Sequence, residues 1–91
     1  MVKVNFSSAM QAVTKGNREV EIDFHGGVGG LFNRLSEVFG DEFSRRIFDN
    51  GKIRRYINVY VDGKDIRFSE GQDTRVGDGS VVDVVPAVSG G

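Results

Sequence analysis

The longest helical pattern in this chain lies between two alternating runs and three further extended ones, and that placement governs the fold. Val28, Leu31, Phe32, Leu35 and Phe39 recur at helical spacing, while Asn33, Arg34, Ser36 and Glu37 turn away from the stripe. Before it, Val2-Lys3-Val4-Asn5-Phe6 and Glu19-Val20-Glu21-Ile22-Asp23-Phe24 alternate strictly, each predicting a half-buried strand. After it come Tyr56 to Val61, with Ile57, Val59 and Val61 inward, and a short edge strand from Lys64 to Phe68. The last strand is Ser80 to Val85, with Val82 and Val84 toward the core and Val81, Asp83 and Val85 on the opposite face. A helix in that position must cross the sheet and cover its apolar face. The other face is left to water or to a partner. The expected order is β-β-α-(α)-β-β-β: an α+β fold, a mixed sheet of four to five strands packed on one main helix.

The connections carry their own signals. Ser7 to Arg18 is small and polar, with a Lys15-Gly16-Asn17 turn, and Met10 and Val13 are expected to form a loosely packed helical turn there. Gly40 ends the main helix, and Asp41 is the expected cap of a short second one from Glu42 to about Asp49. Phe43, Ile47 and Phe48 lie on one side of it, and Phe32, Phe39, Phe43 and Phe48 all read as core. Asp62-Gly63 predicts a type I′ hairpin. Gly26-Gly27-Val28-Gly29-Gly30 sits between strand and helix, where phosphate loops occur, but matches neither G-x-G-x-x-G nor a P-loop. It is expected to be a flexible lead-in to the helix.

Size and composition narrow the function. A 91-residue chain is one domain that buries roughly 60–65% of its unfolded surface. That leaves room for one core and little for a deep cleft, so a carrier or binding module is favoured over an enzyme. The formal charge of −1 is not that of a nucleic-acid binder. No run approaches the ~18 apolar residues of a membrane span, and no signal-peptide pattern is present, so no membrane partner and a cytoplasmic location are expected. There is no cysteine and a single histidine, His25, which reads as a surface or capping residue. No catalytic residue of its own and no metal site are therefore expected. Arg45, Arg46, Lys52, Arg54 and Arg55 form a basic cluster. A solvated face is the plain reading of it, and docking on an acidic partner the alternative, with RNA less favoured still.

The chain closes with Val84-Val85-Pro86-Ala87-Val88-Ser89-Gly90-Gly91, a strand leaving through a proline into a small-residue segment and a bare diglycine. The carboxylate of Gly91 is read as the working group, with residues 1–85 as its folded handle and 86–91 as an extended tail.

This closing stretch, together with the element order, resembles the ubiquitin-like β-grasp sulfur carriers: the molybdopterin synthase small subunit, the thiamine sulfur carrier and their relatives. Tyr56-Ile57-Asn58-Val59-Tyr60-Val61-Asp62-Gly63-Lys64-Asp65-Ile66-Arg67 is similar to the strand-turn-strand of the molybdopterin synthase group. Asp78-Gly79-Ser80-Val81-Val82-Asp83-Val84-Val85-Pro86-Ala87-Val88-Ser89-Gly90-Gly91 is similar to that group's ending. Element order fits along the whole chain, and the specific motifs cover 56–91. Ala87 stands where that group often has a second proline, and Val85 where it often has an aromatic residue. Both resemble the actinobacterial cysteine-biosynthesis carrier and, beyond it, the archaeal small modifiers.

The resemblance implies a mechanism. An E1-like adenylyltransferase would use ATP to adenylylate Gly91, and a sulfur donor would displace AMP to leave a thiocarboxylate. The acceptor would be an enzyme such as the molybdopterin synthase large subunit or a cysteine synthase. The carrier itself would bind no cofactor. Pro86, Ala87, Val88, Ser89 and Gly90 would thread the tail into the partner, helped by the missing side chain at Gly90. The outward residues Val81 and Val85, extended by Phe68, are the expected docking patch. A second reading is a ubiquitin-like modifier whose activated Gly91 is attacked by lysines of target proteins. A third is a passive adaptor that uses its sheet face alone.

Overall fold

The first and last strands pair in the middle of the sheet, and the rest of the chain is arranged around them. The computed structural model describes residues 1–87. Strand β1 (Val2–Phe6) runs parallel to β9 (Val81–Pro86), with Lys3 beside Val81 and Phe6 beside Val84. On the far side of β1, β2 (Glu19–Ile22) pairs antiparallel as a hairpin, with Val2 opposite Ile22. On the far side of β9, β6 (Ile57–Val61) pairs antiparallel and carries β7 (Lys64–Asp65) at the edge. The order is β2-β1-β9-β6-β7, a five-stranded mixed sheet. Its alternating residues Val2, Val4, Phe6, Ile57, Val59, Val82 and Val84 are buried beneath the helices.

Helix α1 (Val28–Phe39) buries the predicted stripe of Val28, Leu31, Phe32, Leu35 and Phe39 against that face. Helix α2 (Asp41–Ile47) follows after Gly40, burying Phe43 and Ile47. Phe6, Phe39 and Phe43 meet edge-on or tilted, with ring centroids 5.2 to 6.0 Å apart. Each such pair contributes about 0.5–1.5 kcal/mol beyond burial. Asp41 does not cap α2 as expected. It is the helix's first residue, and no side chain caps that end. With Glu42 it places negative charge in the first turn, opposite Arg45 and Arg46 in the last, which complements the helix dipole.

Other connections differ from expectation for local reasons. The turn around Met10 is not loose: Met10 is fully buried, behind a single turn of 3-10 helix from Ser8 to Met10. Buried Thr14 exchanges two 2.8 Å hydrogen bonds with Asn17, closing the connection to β2. Phe24 leaves β2 and lays its half-buried ring beside Gly26 and Gly30. The edge strand expected through Phe68 pairs only as Lys64–Asp65. There the Asp65 carboxylate accepts the amide of Arg67 at 2.8 Å and turns the chain into a 3-10 helix, Ile66–Phe68. The Asp62-Gly63 hairpin is as predicted, with φ of 51° and 86°, the left-handed pair a type I′ turn needs.

The glycine-rich segment is also not a free lead-in. Gly26–Gly27 is a short strand, β3, paired antiparallel with β8 (Arg75–Val76). A Cβ on Gly27 would lie 2.9 Å from the backbone oxygen of Gln72. The first amide of α1, from Val28, donates to the carbonyl of Thr74 at 2.9 Å. Glycine is thus required there by close backbone approach. The last pair, β4 (Phe48–Asp49) with β5 (Lys52–Ile53), makes a small hairpin after α2.

Candidate functional site at the end of the last strand

Strand β9 is the part of the sheet that carries the chain outward. Val82, Val84 and Pro86 are buried, whereas Val81 and Asp83 are half-exposed and Val85 is exposed on the other face, as the alternation predicted. Pairing with β6 runs to its end, with Pro86 opposite Ile57. One residue further, the amide of Ala87 donates to the carbonyl of Tyr56. At the other end of the same ladder Asp62 N–H donates to Val81 O at 2.8 Å, so hydrogen-bonded positions alternate along the strand and Pro86 falls between them. Its missing N–H faces the side where β1 has already ended at Phe6, beside Val84. Proline therefore breaks no ladder bond while fixing the exit direction. Of the six residues read as a threading tail, Pro86 and Ala87 are bound to the sheet. Val88, Ser89, Gly90 and Gly91 lie outside the described residues.

The sequence did not reveal what surrounds this exit. Arg46, Tyr56, Pro86 and Ala87 line a shallow hollow of about 390 Å³. Arg46 comes from the last turn of α2 and Tyr56 from the residue before β6. The two are brought together only by the β6–β9 register and the packing of α2. No local motif announces either one.

Val81 and Val85 share the outward face, but the row between them is polar. Asp83 accepts a 3.0 Å hydrogen bond from the side-chain amide of Asn5. Across the strand Val85 stands opposite Asn58, and the side-chain oxygen of Asn58 accepts from the guanidinium of Arg67. Arg67 also reaches the carbonyls of Ile57 and Arg55 at 3.3 and 3.4 Å. Phe68 is 79% exposed and sits beyond β7, in the turn that leaves the sheet edge.

At the opposite end of β1, the Met1 ammonium and Asp78 carboxylate are 2.7 Å apart, with His25 Nε2 at 3.8 Å. That hydrogen bond and charge hold Asp78 below the ordinary carboxylate range and raise the amino group above its usual value. His25 is thus a surface residue beside an ion pair. Among the described residues no group of three or more His, Cys, Asp or Glu is placed to hold a metal ion. No helix among them is long and apolar enough to cross a membrane.

Sequence comparison places this geometry. The ThiS family matches residues 4–91, from β1 through the diglycine. The chain belongs to the ThiS family. It is a ubiquitin-like sulfur carrier, not an enzyme, with the β-grasp sheet described above. It is 45% identical over 93 residues to the sulfur carrier protein CysO of Mycobacterium tuberculosis, covering 99% of this chain and 98% of that one. The structure superposes on a chain of the Amycolatopsis orientalis BexX/CysO complex with a TM-score of 0.89 and 31% identity, each chain covered completely. It is also 26% identical to small archaeal modifier protein 3 of Haloferax volcanii, over 94% of this chain and 92% of that protein.

Proposed function

We propose that this ThiS-family carrier works in the cytoplasm through a thiocarboxylate at Gly91, made by an E1-like adenylyltransferase and spent on a sulfur-accepting enzyme. The single observation that carries the reading is the exit of β9. The folded domain, residues 1–85, holds Pro86 and Ala87 against Ile57 and Tyr56, and the family match continues from there to residue 91. The chain has no cysteine, so no internal thiol competes to carry sulfur, which supports the carboxylate of Gly91 as the carrier group.

The steps balance simply. A Gly91 carboxylate oxygen attacks the α-phosphorus of ATP and expels pyrophosphate. Hydrosulfide then adds to the acyl carbon, and AMP leaves with the former carboxylate oxygen, giving the thiocarboxylate. Its sulfur attacks an electrophilic carbon on the acceptor's substrate, either displacing a leaving group or adding across a polarised carbon–carbon double bond whose neighbouring carbon then takes up a proton. Water cleaves the acyl–sulfur bond to restore the carboxylate. ATP belongs to the activating enzyme, and the carrier holds no cofactor. Its contribution is positioning: glycine at 90 and 91 leaves the carbonyl open to attack and lets the segment thread a narrow channel. Val88 supplies an apolar grip. Val81, Val85 and Phe68 are the proposed docking residues for the enzymes it visits.

The resemblance at Val85 and Ala87, and the 45% identity to CysO, favour a cysteine-forming acceptor over the molybdopterin synthase large subunit. Mixing the loaded carrier with each purified acceptor and following the return of its mass to the carboxylate form tests this. Discharge by the molybdopterin enzyme alone would reverse the choice. Similarity to small archaeal modifier protein 3 supports a second reading, conjugation of Gly91 to lysines. Gly91–lysine isopeptides found by mass spectrometry of cell digests would favour it.

A further inference from the structure

Charge is distributed very unevenly over this fold. Between Arg45 and Arg55 stand five cations against the single acid Asp49, in a chain whose total is −1. Arg54 ties the two halves of this segment together. Its Nε donates to the carbonyl of Arg45, and its amide to that of Ile47, both at 2.8 Å. The ion pairs found among the described residues involve Met1, Lys3, His25 and Arg67, and none of these five cations. Asp41 and Glu42 lie one helical turn before Arg45 and Arg46, and Asp49 stands opposite Lys52, but among the described residues none of these carboxylates closes into an ion pair with the five.

The shape of the surface matches its charge. One open hollow of about 310 Å³ has Ile53, Ile57 and Ile66 in its lining and Arg54, Arg55 and Arg67 around them. Tyr56, next to Arg55, lines the separate hollow that holds Arg46, Pro86 and Ala87. A cationic track therefore leads from β5 to the point where the C-terminal segment leaves the sheet. A hollow lined by isoleucines together with Lys52, Arg54, Arg55 and Arg67 suits an apolar side chain flanked by carboxylates. Nucleic acid is the weaker fit: the chain's total charge is −1, and Tyr56 is the single aromatic lining these two hollows.

We propose that this track, with Arg46 and Arg55 at its centre, is the docking surface for an acidic face of the enzyme that adenylylates the C-terminus. The inference rests on the carrier reading above. An enzyme that encloses the residues after Ala87 must cover the hollow at Arg46. Adenylylation is also the encounter in which a free carrier must be found from solution, where complementary charge speeds association most.

The test is association of the full chain with the source organism's E1-like adenylyltransferase, measured by stopped flow across a salt series. Wild type is compared with Arg46→Glu/Arg55→Glu, with the milder Arg46→Gln/Arg55→Gln, and with Lys64→Glu at the hairpin end of the sheet. Melting of each variant confirms that it is folded. The expected result is an association rate that falls with salt for wild type and Lys64→Glu. The charge-reversed pair should be slower by roughly tenfold or more at low salt, with a flattened salt dependence, and the neutral pair should lie between. Equal rates and salt slopes for wild type and the reversed pair would overturn the proposal while leaving the carrier reading intact. So would a single-stranded RNA oligonucleotide that wild type binds and the reversed pair does not, if saturating it leaves the rate of association with the enzyme unchanged. A wild-type chain that neither binds the enzyme nor becomes adenylylated would overturn both.

Discussion

The side-chain oxygen of Gln72 accepts the backbone amide of Ile53 at 2.7 Å, which joins the β4–β5 hairpin to the 3-10 turn that supports the start of α1. The same side chain donates from Nε2 to the carbonyl of Gly51 at 3.4 Å, and it packs where a Cβ on Gly29 would stand. One residue thus fixes the segment that carries Lys52, Arg54 and Arg55. Gln72→Ala leaves the half-buried Ile53 amide without its partner and is expected to destabilise the fold by about 1–2 kcal/mol. Amide exchange reports it directly: protection at Ile53 should fall well before protection at Val4 or Val82. Uniform change across all three would mean that Gln72 is not a local clamp.

Gly27 makes a sharper case. Its φ is −80°, so conformation alone would admit alanine. The obstacle is the Gln72 backbone oxygen, 2.9 Å from the position of a Cβ. Gly27→Ala should cost about 1–3 kcal/mol in denaturant unfolding, through displacement of backbone that cannot rotate away. A variant as stable as wild type would show that β3 and β8 are not held this closely.

Much of this fold was legible because its long elements are periodic. The alternation of Val2, Val4 and Phe6, the stripe from Val28 to Phe39 and the Asp62-Gly63 turn each mark their element without reference to anything distant. What escaped were two-residue pairings such as Gly26–Gly27 with Arg75–Val76, which are too short to have a period. The turn at Asp65 escaped for another reason, since Lys64 to Phe68 alternates well enough for a strand until the aspartate caps Arg67. Near the exit, the alternation of the last strand placed Val81 and Val85 on the outward face, whereas Gly91 lies outside the described residues. The sequence did not place Tyr56 or Arg46 beside Pro86, because that meeting depends on the β6–β9 register and on where α2 packs.

Val85→Asp tests the sheet face. Val85 is exposed and lies opposite Asn58, so an aspartate there should leave the melting temperature within a degree or two of wild type. Affinity for the activating or accepting enzyme should fall roughly tenfold or more, read by titration calorimetry, because a charge would be desolvated in the complex. Unchanged affinity would remove Val85 from the docking surface.

The Met1–Asp78 pair predicts a definite pH dependence. Asp78 is held below the ordinary carboxylate range by the hydrogen bond from the Met1 ammonium, so its contribution is present above that range and lost as pH falls through its folded value. The amino group is raised above 8.0 by the same hydrogen bond. Its contribution is fully present below that value and lost as pH rises through the folded one. Asp78→Asn should therefore melt slightly below wild type near neutrality, with the gap closing at both acid and alkaline extremes. Because both groups are largely exposed, added salt should shrink it further. A gap independent of pH would assign the difference to something other than this pair.

The central claim is that sulfur is carried on Gly91, and intact-mass spectrometry reads it most directly. The chain would be incubated with ATP, a sulfide donor and the E1-like adenylyltransferase, beside a variant lacking Gly91. The account predicts a mass gain equal to one oxygen exchanged for sulfur in the full chain and none in the variant. An unchanged mass in the full chain, with an enzyme that activates another ThiS-family carrier in the same mixture, would contradict it.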